Sequence, residues 1–92
     1  MSVAQIVSDL CVRVNALEAR RRQGFLDWLN KHHHAAQPFT EETLLVLLYA
    51  WLADLDQDGL RWEARLLHKE IAWWRALSPS RLWRFVNEES NE

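Results

Sequence analysis

Apolar residues recur at helical spacing over nearly the whole chain. Val3, Val7, Leu10, Val14 and Leu17 alternate steps of four and three, which gathers them on one helix face. Phe25, Leu26, Trp28 and Leu29 begin a second stripe, out of phase with the first. Between the two, Arg20, Arg21, Arg22 and Gly24 supply the cations and the glycine suited to a helix C-terminus. Pro38 stops the second helix, and Thr40 is an N-cap with Glu41 and Glu42 in the first turn that follows. Ser78 and Pro79 start the last helix as N-cap and first helical residue. The predicted helices span about residues 2–22, 25–35, 41–55, 60–76 and 79–87, with a polar tail at 88–92. With two glycines and two prolines in 92 residues, there is little turn chemistry for a many-stranded fold. The expectation is an all-α fold, a compact bundle of four to five helices in a single domain 1–92.

The faces of these helices differ. In the first, Val7 and Val14 take heptad positions a, and Val3, Leu10 and Leu17 take d. That pattern suits a parallel two-stranded coiled coil and hence a homodimer, with Arg13 and Glu18 as a pair between chains. The same stripe also suits one helix facing the core of a bundle. In the third helix, apolar residues from Leu44 to Leu52 cover the whole circumference, so it must be surrounded, with a partner subunit as one possible cover. The fourth helix carries two stripes. Leu60, Ala64, Leu67, Ile71 and Trp74 form one, and Trp62, Leu66, Trp73 and Leu77 the other. Glu63 and Glu70 lie between them, where carboxylates require cationic neighbours. Either one stripe serves the core and the other a partner, or both are internal.

Six tryptophans sharpen that choice, since aromatic anchors dominate interfaces. By helix face, Trp28, Trp51 and Trp74 belong to the core, and Trp62, Trp73 and Trp83 remain for a partner. The net charge of −2 conceals a division. Residues 61–87 hold six arginines and lysines against Glu63 and Glu70, a balance of +4, which leaves −6 for the remainder. Interleaved with tryptophans, the basic residues form no run of the kind that tracks a phosphate backbone.

Other candidate chemistry is sparse. Asp54, Asp56, Asp58 and Gly59 match the start of an EF-hand loop, but its twelfth position is Arg65 in place of the closing glutamate. A calcium-responsive switch is therefore the least of the alternatives, and a helix N-cap from Asp56 or Asp58 the plainer expectation. His32, His33 and His34 are consecutive, so on a helix they point about 100° apart and cannot converge on one metal. A solvated polar patch with mild pH sensitivity is expected there. Cys11, the only cysteine, lies in an apolar-flanked helix and reads as packing. No phosphate loop or nucleophile elbow is present, so neither an enzyme nor a cofactor is expected. The first ten residues lack a secretory pattern and the longest apolar run, 44–53, is half a membrane span; a cytoplasmic protein without membrane partners is expected.

Glu70, Ile71 and Ala72, followed by Ala76, Leu77, Ser78, Pro79, Ser80, Arg81, Leu82, Arg84 and Phe85, resemble the helix-turn-helix of AraC-type regulators. In that family Ala72, Ala76, Leu77, Leu82 and Phe85 would hold the two helices together. The resemblance implies a recognition helix that turns Ser80, Arg81, Trp83 and Arg84 toward DNA. Glu88, Glu89 and Glu92 would repel phosphates just beyond it, so the partner expected first is another protein. A small regulator or inhibitor of a larger bacterial or phage machine suits this size. Its docking residues would be Trp62, Leu66, Trp73 and Leu77, with Glu63 and Glu70 for selectivity and Trp83 at the rim.

Overall fold

A computed structural model describes residues 2–34 and 36–90, with residues 85–90 as backbone. It is an all-α bundle of five helices: α1 (Val3–Asn15), α2 (Ala19–His32), α3 (Leu44–Ala53), α4 (Gln57–Ala76) and α5 (Pro79–Ser90). The described residues include no strand. The bundle measures 39 × 27 × 22 Å, and α1 packs on α3 and α4 while α2 packs on α4 and α5. None of these helices is long and apolar enough to cross a membrane.

α1 begins with a capping box. Ser2 Oγ accepts from Gln5 N–H at 3.2 Å, and Ser2 N–H donates to Gln5 Oε1 at 3.1 Å. Its stripe of Val7, Leu10, Val14 and Leu17 is buried inside the bundle, with Val3 packed at the margin. This corrects the coiled-coil expectation: these residues already fill the chain's own core and leave no a/d seam for a second copy. The internal face is the reading that fits.

The first two helices meet earlier than predicted. α1 stops at Asn15, and α2 starts at Ala19 and runs through Gly24 without a break. Gly24 is not a terminator and has no positive φ. A Cβ there would lie 2.3 Å from the Trp74 ring, so glycine is required for the close approach of α4. From within α2 the arginines cap two different helices, Arg22 the first, as expected, and Arg21 the fourth. Arg22 Nη1 donates to Leu17 O at 2.9 Å and Asn15 O at 3.3 Å, closing the end of α1, while its Nε pairs with Glu41 at 2.6 Å. Arg21 Nη1 donates to Trp74 O at 2.7 Å and also to Leu77 O, closing the end of α4 from a distance of more than fifty residues in sequence.

The connection from α2 to α3 is clamped by Asn30, whose side chain donates to Phe39 O (3.1 Å) and accepts from Phe39 N–H (2.6 Å). This seats Phe39 in the core. α3 then contributes Leu44, Leu48 and Leu52 to the interior, with Leu47 and Trp51 half-buried beside them. The helix is not fully surrounded. Leu45, Val46 and Tyr49 face outward because α1 and α4 cover only one side.

Only Asp54, Leu55 and Asp56 separate α3 from α4. Asp56 Oδ1 accepts from Gly59 N–H at 2.7 Å and caps α4, which starts at Gln57, earlier than predicted. That corrects the calcium alternative: from Gln57 onward the would-be binding loop is helix and cannot wrap an ion. Among the described residues no group of three or more His, Cys, Asp or Glu gathers as a metal site.

Candidate functional site

α4 divides its two stripes as amphipathic geometry demands. Leu67, Ile71 and Trp74 are buried, and Leu60 packs against the core. Trp62 and Trp73, eleven residues apart, return to nearly the same face about 16 Å along the axis. They are 58% and 43% exposed, with Leu66 half-buried between them. Trp28 and Trp51 pack against the core as half-buried rings, and Trp83 on α5 is 61% exposed. All six rings thus lie on the side their spacing assigns.

Two predicted docking residues are placed differently. Leu77 is buried, because α4 ends at Ala76 and the extended Leu77 turns inward. Trp83 is exposed but does not line either groove beside Trp73. Arg81 does. One groove, of about 320 Å³, runs between Trp73, Ala76, Leu77, Ser78 and Arg81. The other, of about 220 Å³, lies between α2 and α4, with Trp28, Lys31, Glu70 and Trp73 among its walls and Gly24 at its base. Trp73 is therefore the ridge shared by two grooves.

That ridge is held in place. Trp73 meets Trp74 edge-to-face, with centroids 5.0 Å apart and planes at 88°. Trp74 in turn is locked against Gly24. A large ring fixed by a buried neighbour loses little conformational freedom on docking.

No arginine or lysine of the described residues pairs with the glutamates between the stripes; Glu63 instead meets a histidine of α2. Glu63 Oε2 lies 2.8 Å from His32 Nε2. Glu70 is also within electrostatic reach of His32, yet burial outweighs that attraction and raises its carboxyl above the ordinary range. A desolvated carboxylate on a groove wall is suited to recognising a cation.

The histidines depart most from expectation. His32 stacks on Trp28 (4.9 Å, 7°), and His33 stacks on Trp51 (4.2 Å, 15°) with Phe39 at 5.9 Å. Desolvation lowers the His33 pKa, opposed by the nearby Glu63. His34 is exposed. Nothing in the sequence marks this cluster, since its parts come from α2, α3 and α4; only the coincidence of aromatic and histidine residues near helix ends hints at it.

Other groups are accounted for structurally. A cleft of about 560 Å³ between α1 and α4 includes Arg13, Arg21 and His68. Arg13 pairs with Asp9 at 3.1 Å, His68 lies 3.6 Å from the same carboxylate, and Arg21 holds the end of α4. Cys11 is buried and its thiol pKa raised by that burial.

At the helical corner resembling AraC-type regulators, Ser78 Oγ accepts from Arg81 N–H at 3.4 Å, and Ser80, Arg81 and Arg84 are exposed. Leu77 and Leu82 are buried, but Ala72 and Ala76 are exposed, and α5 packs against α2. Side-chain placement of Phe85 lies outside the described residues. No protein-family model matches the chain, and neither a curated protein nor a solved structure matches it.

Proposed function

We propose that this protein is a non-enzymatic protein–protein interaction module, a regulator or inhibitor that engages a larger protein through α4. Trp73, a pre-set aromatic ridge between two grooves, carries this reading. Trp62 and Leu66 extend the same face, Glu70 selects a basic group in the groove toward α2, and Arg81 an acidic group in the other. Glu63 acts indirectly, by holding His32 against Trp28. Aromatic and arginine anchors of this kind supply most of the binding energy in small interfaces. The test is Trp73→Ala, compared with the unaltered chain by cross-linking in host extract. The expected result is loss of one cross-linked protein with a melting temperature changed by only a few degrees. A stability loss of about 3–5 kcal/mol would instead make Trp73 a core residue and defeat the reading.

A second reading, a helix-turn-helix DNA-binding regulator, is favoured by one observation: Ser80, Arg81 and Arg84 share an exposed arc of α5. Against it stand the exposed Ala72 and Ala76, which would have to be wedged between the two helices. Neutralised phosphates would make affinity fall steeply with salt, and Arg81→Ala with Arg84→Ala would abolish it.

A further inference from the structure

The cleft between the end of α1 and the last turns of α4 measures about 560 Å³, inside the roughly 300–1,000 Å³ range of small-molecule sites. Arg13 and Leu17 reach it from one side, and His68, Ile71 and Arg75 from the other, each set at the spacing of one helix face. Leu17 and Ile71 are buried and make part of the lining apolar. Ala16 and Ala72, both exposed, put only methyl groups where longer side chains would close the gap. Arg21 enters from α2, its Nη1 held by Trp74 O and Leu77 O. Those carbonyls fix the guanidinium without neutralising it. The same bonds, with that of Arg22 to Leu17 O, occupy helix-end carbonyls that would otherwise repel an anion here.

The charge is out of balance. Against three arginines and His68 stand two carboxylates: Glu18, 3.9 Å from Arg21 Nε, and Asp9, shared between Arg13 Nε (3.1 Å) and His68 Nε2 (3.6 Å). Among the described residues Arg75 has no ion pair, and neither have Arg61 and Arg65. Arg61, Arg65, His68 and Arg75 share an arc of about 80° on α4, while Glu63 and Glu70 lie on the far side. Asp58 borders the arc at its other end, about 25 Å along the axis from Arg75. Like charges one turn apart repel, so this face weakens α4 and a bound anion relieves it.

We infer that this cleft binds a small phosphate monoester, its phosphate among Arg13, Arg21 and Arg75 and its apolar body against Leu17 and Ile71. Cations arriving from three helices suit a tetrahedral dianion, whose terminal oxygens accept from separate directions. A carboxylate is planar and is served by one guanidinium fork. Glu18 on the rim and Asp9 beside it would repel a nucleic-acid strand, whereas a single phosphate group fits between them. Trp62 and Trp73 lie about 120–160° around α4 from His68 and Arg75, so the site does not depend on the Trp73 reading.

The probe is phenyl phosphate, titrated into the isotope-labelled full chain and followed by the NMR shifts of its backbone amides, with inorganic phosphate and benzoate as partial mimics. Saturable shifts are expected around Arg13, Arg21 and Arg75, with phenyl phosphate the tightest of the three ligands. Arg75→Ala should weaken it about tenfold by removing one charge-assisted partner. Ala72→Leu should block it by filling the cleft. Asp9→Asn should tighten it, because the competing carboxylate on Arg13 and His68 is gone, and a variant that merely misfolds cannot gain affinity. Arg75 and Ala72 are exposed and the Asp9 pair is half-open to solvent, so all three variants should melt within a few degrees of the original. Trp73→Ala should leave phenyl phosphate binding unchanged. Absence of saturable shifts, or shifts insensitive to both Arg75→Ala and Ala72→Leu, overturns the proposal. So does weaker binding by Asp9→Asn. Benzoate binding as tightly as phenyl phosphate would show that the cleft does not read a phosphate, and inorganic phosphate binding as tightly would show that it has no place for an organic body; either result overturns it too.

Discussion

Trp73 is exposed and Trp74 buried although they are neighbours in sequence, because successive helical residues point about 100° apart. What joins them functionally is Gly24. A methyl group there would overlap the Trp74 ring, so Gly24→Ala must displace the ring that supports Trp73. The gain in helix propensity from alanine, about 1 kcal/mol, works against an overpacking cost of about 1–3 kcal/mol. A net loss of stability, measured by urea unfolding, is expected, together with altered Trp73 fluorescence. Glu70 moves the other way. Its raised pKa means that the folded state holds the carboxyl proton more tightly than the unfolded chain, so ionisation costs stability as pH rises through the folded value. Glu70→Gln should therefore raise the melting temperature at pH 7 and leave it nearly unchanged at pH 3.5. The sorting of the six tryptophans was legible because it depends only on helical phase. The closeness of Gly24 to Trp74 was not, because those residues lie fifty positions apart and the glycine offers the same local cue as a helix terminator.

At the scale of the element, termination and its apparent signals are separated. Arg21 and Arg22 stand in the first turn of α2, where their charge opposes the helix dipole, yet each closes the carboxyl end of another helix. Local reading recognises the kind of residue that caps a C-terminus but not which C-terminus it reaches, and this is why the boundary between the first two helices was misplaced. Asp56 and Ser78 were legible, since N-capping is decided within three residues. Asp56→Ala should cost about 1 kcal/mol of stability. Arg21→Met keeps much of the apolar stem and removes the donor to Trp74 O and Leu77 O, so loss of about 1.5–3 kcal/mol is expected. Calorimetry on the two variants ranks these caps; a harmless Arg21→Met would mean that the end of α4 is held by packing alone.

Across the whole molecule, the stacked histidines tie three helices together where the hydrophobic core thins toward the surface. His32 joins α2 to α4 through Glu63, and His33 joins the end of α2 to α3 through Trp51 and to the clamped Phe39. Such a junction makes the fold sensitive to pH in a direction set by His33. Its folded pKa is lowered, mainly by desolvation, below the ordinary value of 6.5. Above 6.5 neither state carries the proton and the contribution to stability is complete. As the pH falls below 6.5, the unfolded chain takes up the proton first, and stability is lost until the pH passes through the folded pKa. Melting temperatures at pH 7.5 and pH 5.5 isolate this effect when the chain is compared with His33→Gln, because the remaining titrating groups are common to both. The original should lose more stability than the variant over that interval. Equal losses would mean that protonated His33 keeps its place on Trp51, with its charge satisfied by Glu63, and the junction would then be indifferent to pH.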